Sequence, residues 1–197
     1  MKKVAITGGI GSGKSRVCNL LQEKGYSIYP SDDRAKYLMV HNEGLRTELI
    51  ALLGSEAYSF DGEGQAQDLN RGFISAAIFE NPSLKTQLES LVHPVVREDF
   101  EKWSKEQSSS IVFHESALVL LTAYYTQFDA VVLVVAPESI RLERVMKRDG
   151  LSREAVLKRI QSQPIYEEHA ERATYLIDNS GAIALEDQVA ALLEDLI

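Results

Sequence analysis

The stretch Gly8-Gly9-Ile10-Gly11-Ser12-Gly13-Lys14-Ser15 constrains this chain more than any other. Two glycines spaced by four residues, followed by lysine and serine, form a loop that can turn successive backbone N–H groups onto phosphate oxygens. Chance supplies such a match in roughly one chain in a hundred of average composition. The flanks support the reading. Val4-Ala5-Ile6 is a short apolar run suited to a buried parallel strand. From Lys14 to Lys24, Val17, Leu20 and Leu21 recur at helical spacing, and Gly25 stands where a helix ends. Strand, glycine loop and helix are therefore predicted in that order, with the positive end of the helix dipole added to the loop's amides. Gly9, Gly11, Ser12 and Gly13 are the expected cradle of a nucleotide triphosphate. Lys14 is expected to reach the β- and γ-phosphates, and Ser15 to coordinate Mg²⁺.

The remainder reads as an α/β core interrupted by helices. Strands are predicted around Ser27–Tyr29, Ile111–Phe113, Ala130–Val135 and Tyr175–Ile177, which with the first run makes five. Between about Ala35 and Trp103 strand signals are nearly absent, and apolar residues recur at helical spacing at Leu45, Leu49, Leu52 and Leu53 and at Leu84, Leu88, Leu91 and Val92. A loop is expected at Ser59–Gln67 and a turn at Asn81-Pro82-Ser83. The reading is a nucleotide-binding core at 1–34 and 104–197, a helical insertion at 35–103, and a lid at 138–172 within the core.

Bulk properties narrow the partners. Among 197 residues, 29 acidic against 21 basic side chains leave a formal charge of −8. That argues against a sequence-independent grip on nucleic acid or on an anionic membrane, and for a small-molecule substrate. The single cysteine, Cys18, permits no internal disulfide, and the N-terminal apolar run is too short for a signal-peptide core, so a cytoplasmic setting is expected.

Beyond the loop, the chemistry concentrates at predicted strand ends. In a parallel α/β sheet ligands bind outside the carboxyl ends of the strands. Asp32 follows such an end and can orient the proton of an acceptor hydroxyl or cap the next helix. Glu115 ends the Ile111–His114 strand and is a candidate to hold Mg²⁺ through water. His114 beside it reads as a packed or surface residue. Arg141, Arg144, Arg148, Arg153 and Arg159 cluster between Pro137 and Pro164, as a cationic lid over a triphosphate would require. Asp61-Gly62-Glu63-Gly64 has the spacing of a GTPase switch, but no Asn-Lys-x-Asp guanine-reading sequence occurs, and the segment reads as a surface turn.

Together these segments resemble the dephospho-coenzyme A kinase family over essentially the whole chain. Thr7 to Ser15 is similar to that family's form of the loop, although Arg16 stands where the family usually has threonine. Pro30-Ser31-Asp32 keeps the second aspartate of its Asp-Ala-Asp motif. Asp68-Leu69-Asn70-Arg71, Leu88-Glu89, His93-Pro94 and Arg97 resemble its substrate segments. Glu115-Ser116-Ala117-Leu118-Val119-Leu120-Leu121 stands where the family carries Pro-Leu-Leu-Phe-Glu and lacks both its proline and its later glutamate. Arg144-Val145, Arg148, Ile160, Gln163, Ala173 and Asn179 follow its lid and final loop.

The resemblance implies a three-layer α/β/α P-loop fold with a five-stranded parallel sheet, and transfer of the ATP γ-phosphoryl group to the ribose 3′-hydroxyl of dephospho-coenzyme A, the last step of coenzyme A biosynthesis. It implies Lys14, Asp32 and Arg144 as catalytic residues. Arg16, Arg148 and Asn179 join the loop in binding ATP, and Arg71, His93 and Arg97 join Asp32 in binding the acceptor. The loop alone leaves open another small-molecule or nucleoside monophosphate kinase, or a nucleotide-gated binding module without turnover.

Overall fold

The computed structural model describes residues 1–62 and 66–197. The chain divides into two compact units, Met1–Pro30 with Gln107–Ile197 and Ser31–Glu106. The sequence reading placed these junctions at 34/35 and 103/104; the packing places them at Pro30/Ser31 and Glu106/Gln107.

In the first unit, β1 (Lys2–Thr7), β2 (Ser27–Pro30), β5 (Ile111–Glu115), β6 (Ala130–Val135) and β7 (Tyr175–Asp178) form one parallel sheet in the order β2-β5-β1-β6-β7. The apolar character of β1 follows from this central position, since Val4, Ala5 and Ile6 are all fully buried. Val4 and Ile6 face a cluster with Phe113, Val132 and Val134. That cluster also takes in Val17 and Leu21 of α1 (Lys14–Glu23) and Val189 and Leu193 of α8 (Leu185–Leu196). Ala5 faces the opposite side with Val119, Leu120, Val131, Leu133 and Tyr166. Removing Leu21, which has no solvent exposure, by substitution with alanine would cost about 2–5 kcal/mol through lost transfer energy and the cavity left behind.

The connection from β6 to β7 carries α6 (Glu138–Asp149) and α7 (Arg153–Gln161). Ser152 caps α7 by accepting the Ala155 N–H, as its position in sequence suggested. Leu142 and Val145 pack on Val156 and Ile160 between the two helices.

The second unit contains α2 (Ser31–His41), α3 (Glu43–Leu53), α4 (Arg71–Glu80) and α5 (Pro82–Lys105). Arg34 of α2 forms a two-pronged ion pair with Asp99 of α5, at 2.7 and 2.9 Å. Asn81 caps α5 by accepting the Ser83 N–H, and Pro82 opens the helix where its missing N–H is harmless. One expectation is corrected here. The helical reading of 35–103 overlooked a small antiparallel hairpin, β3 (Tyr58–Phe60) with β4 (Ala66–Leu69). Its physical basis is tertiary, because buried Tyr58 donates its hydroxyl to the Met39 carbonyl at 2.8 Å and thereby anchors a three-residue strand too short to show a period of its own. Asp61 and Gly62 are exposed; Glu63 and Gly64, the rest of the supposed switch spacing, lie outside the described residues. Among the described residues no helix is long and apolar enough to cross a membrane.

Candidate active site

β1 is the central strand, with β5 on one side and β6 on the other, and the order reverses there. A crevice at that switch point is where open parallel sheets take ligands, and the glycine loop leaves β1 at this edge. Its backbone needs its glycines. Gly11 and Gly13 lie at φ 77° and 103°, in the left-handed region where a side chain is strained. A Cβ on Gly11 would also stand 2.7 Å from the Arg141 carbonyl oxygen.

The loop's carbonyls are turned outward and are met there. Arg141 donates Nε–H to the Ile10 carbonyl at 3.1 Å, and Arg144 donates to the Gly11 and Ser12 carbonyls at 3.4 and 3.3 Å. Asn179 donates its amide to the Ser12 carbonyl at 2.8 Å, and its own carbonyl accepts from Arg144 at 2.9 Å. With the carbonyls held outside, the first amides of α1, which have no acceptor within the helix, are left to face an anion. Ser12 Oγ is buried and has no hydrogen-bond partner among the described residues, as befits a loop shaped for an added oxygen-rich group. Lys14 donates to the Gly8 carbonyl at 2.8 Å, which parks the ammonium at the mouth of the loop.

The strand ends supply acidic oxygen donors. Glu115 closes β5 in register with Ile6 of β1 and Pro30 of β2. Its carboxylate and the Lys14 ammonium both act on Cys18, whose thiol burial pushes up to about 12. Ser15 is exposed at the start of α1. A serine hydroxyl and a carboxylate are hard oxygen donors, and they fit Mg²⁺ carried largely by nucleotide phosphates.

Other expected site residues are differently engaged. Arg16 pairs with Glu186 of α8 at 2.9 Å, with both side chains more than half exposed. Arg148 pairs with its neighbour Asp149 at 2.6 Å, and Arg159 joins the same carboxylate at 3.1 Å, so these two arginines neutralise an acid while Arg141 and Arg144 lie on the loop. Four of the five arginines read from the sequence thus divide into two pairs with distinct partners. His114 is a packed residue, stacked on Tyr29 and set against Tyr124 and Phe128, and its burial pulls its pKa down to about 4. Gln188, which the sequence reading missed, accepts the Asp178 N–H and donates to the Asp178 carbonyl, bracing the strand end that leads to Asn179. No local pattern announces a side chain that acts ten positions away on another element.

A cavity of about 650 Å³ opens in the same unit between the end of β6, β7 and the segment after α7, with Pro137, Arg141, Gln163, Pro164 and Leu176 among its walls.

In the helical unit, Asp32 stands exposed in the first turn of α2, which begins directly after β2. Arg71 opens α4 and is exposed. His93 and Arg97 lie one turn apart on α5, with Glu89 one turn before them. Burial lowers the His93 pKa, with the Arg97 charge adding to the effect and Glu89 opposing it.

A family model described as dephospho-CoA kinase matches residues 2–185. Relatives described as dephospho-CoA kinases include one from Bacteroides fragilis, 36% identical over 97% of this chain and 91% of its own length. Another, from Porphyromonas gingivalis, is 37% identical over 98% of this chain and 94% of its own. A crystal structure from Thermus thermophilus superposes with a TM-score of 0.82 at 34% identity, covering 100% of this chain and 98% of that one. Shikimate kinase from Acinetobacter baumannii, at 15% identity and a TM-score of 0.54 over 100% of this chain and 93% of its own, shares the fold.

Proposed function

We propose residue roles for a chain that belongs to the dephospho-CoA kinase family and is an ATP-dependent kinase acting on a small-molecule substrate. The reaction is ATP plus dephospho-coenzyme A giving ADP plus coenzyme A, with the ribose 3′-hydroxyl as the acceptor atom. The observation that carries the reading is the glycine loop at the edge of β1, its carbonyls held outside by Arg141, Arg144 and Asn179.

Gly9, Gly11, Ser12 and Gly13 cradle the β- and γ-phosphates, and Lys14 leaves the Gly8 carbonyl to spread the charge that grows on the leaving oxygen. The acceptor oxygen attacks the γ-phosphorus as the bond to the β–γ bridging oxygen breaks. Asp32 takes the hydroxyl proton, and ADP departs with the bond's electron pair. Arg144 steadies the transferring group, while Arg16, Arg148 and Asn179 border the nucleotide. Ser15 and, through water, Glu115 would hold Mg²⁺, which when bound neutralises charge on the phosphate oxygens.

Arg71, His93 and Arg97 belong to the acceptor site in the insertion 35–103, and 138–172 forms the lid. A cytoplasmic setting suits a lone thiol that burial keeps protonated.

The test is ADP release from purified protein, ATP and Mg²⁺ with dephospho-coenzyme A or with nucleoside monophosphates. Activity with the monophosphates alone would overturn the acceptor. Asp32→Asn is expected to lower kcat by roughly 10²–10⁴ with ATP affinity kept; undiminished turnover would remove it as the base.

A further inference from the structure

Both backbone polar groups of Ile10 are taken by side chains of the β6–β7 connection. Its N–H donates to Gln163 Oε1 at 2.7 Å, and its carbonyl accepts from Arg141 Nε at 3.1 Å. Its side chain packs into the apolar cluster of Leu142, Val145, Val156 and Ile160. Gln163 itself continues the last turn of α7, because its N–H donates to the Ile160 carbonyl at 3.1 Å. The two peptide units that flank the Ile10 Cα, and its side chain between them, are thereby held by α6, α7 and the residues just after α7.

We propose that Gln163, assisted by Arg141 on the next peptide, is a positioning residue for phosphoryl transfer that fixes the orientation of the Gly9–Ile10 peptide and hence of the phosphate cradle. This rests on the reading of the loop as the ATP site. An Ile10 N–H that turned inward would swing the Gly9 carbonyl, the other half of the same planar peptide unit, off the Ser12 N–H that it accepts at 3.1 Å. The Gln163 acceptor opposes that rotation, and it does so without bringing a charge near the phosphates. Arg141 has a guanidinium that lies against Gly9, so its removal would change charge as well as geometry. Gln163 is the cleaner probe. Because it stands at the end of α7, any displacement of that helix is transmitted directly to the cradle.

The experiment measures inorganic tripolyphosphate and MgATP binding, steady-state kinetics, and backbone amide exchange at Ile10, in the unsubstituted protein and in Gln163→Met, Gln163→Glu and Lys14→Met. Methionine keeps the volume and removes the acceptor; glutamate keeps an acceptor. Gln163→Met is expected to weaken tripolyphosphate and MgATP alike, by about tenfold, and to speed Ile10 exchange. The KM for dephospho-coenzyme A should stay put. Gln163→Glu should keep Ile10 protected whatever its charge does to anion affinity. Unchanged binding of both anions by Gln163→Met would overturn the proposal while leaving the ATP site standing. Should that variant not fold, rapid exchange at Ile10 in the unsubstituted protein overturns it equally. If Lys14→Met bound both anions like the unsubstituted protein, the underlying site assignment would fall, and the proposal with it.

Discussion

The residues assigned to ATP and those assigned to the acceptor are built on opposite terms. At the sheet edge, the loop's carbonyls at Ile10, Gly11 and Ser12 each meet a side chain, and Gln188 braces the Asp178 peptide leading into Asn179. On the helical unit, Asp32, Arg71 and Arg97 are exposed, and α4 buries none of its residues. The first arrangement has its geometry set before a ligand arrives, which is what electrostatic stabilisation of a transition state requires. The second presents charges on helix surfaces and leaves their ordering to the acceptor, so on the proposed roles Arg71 and Arg97 contribute to binding more than to the chemical step, and Asp32 alone takes part in the proton transfer.

The largest effect that would break this contrast is at Lys14. Lys14→Met is expected to lower kcat by roughly 10³-fold with little change in the KM for dephospho-coenzyme A, measured by initial rates. A change confined to the acceptor KM would erase the distinction. Next is the stability of the sheet unit against acid. His114 is buried and its pKa is lowered to about 4, so the unfolded chain takes up the proton first as the pH falls. Stability present above about pH 6.5 should therefore be lost progressively down to about pH 4, by about 3 kcal/mol. Urea unfolding at several pH values checks this, and His114→Leu should flatten the slope across that window.

A smaller effect is expected on the helical side. Arg97→Ala should raise the acceptor KM about tenfold and leave MgATP affinity unchanged, as loss of a surface phosphate contact would. Burial lowers the His93 pKa, with Glu89 opposing and Arg97 adding to it, so any change in the acceptor KM tied to protonation of that ring should set in at a lower pH than for an ordinary histidine. The smallest effect is at Cys18, whose thiol is pushed up to about 12 and is buried. Thiol-directed reagents should leave the native protein unlabelled at pH 8 over the time of a turnover assay, whereas rapid labelling would show that the sheet edge opens.

Much of the sheet unit could be read directly from residue order. Val4-Ala5-Ile6, the glycines and the Val17, Leu20, Leu21 stripe express local rules of burial, backbone freedom and helix period. The helical unit was legible as helices, through Leu45 and Leu49, but its β3–β4 hairpin was not. Tyr58 joins that hairpin only because the Met39 carbonyl is there to receive its hydroxyl. Likewise, five similar arginines in one segment could not be told apart by sequence. Arg148 and Arg159 share Asp149, while Arg141 and Arg144 reach a loop more than 130 positions away.

By itself the sequence determined that a phosphate loop stands between a buried strand and a helix, because glycine spacing and the helix N-terminus act within a dozen residues. Which side chains hold that loop was decided by tertiary structure alone. Arg141, Arg144 and Gln163 arrive through the β6–β7 connection and Asn179 from the end of β7, and a hydrogen bond's reach of about 3 Å depends on where the crossover sets each element, a distance that residue order does not encode.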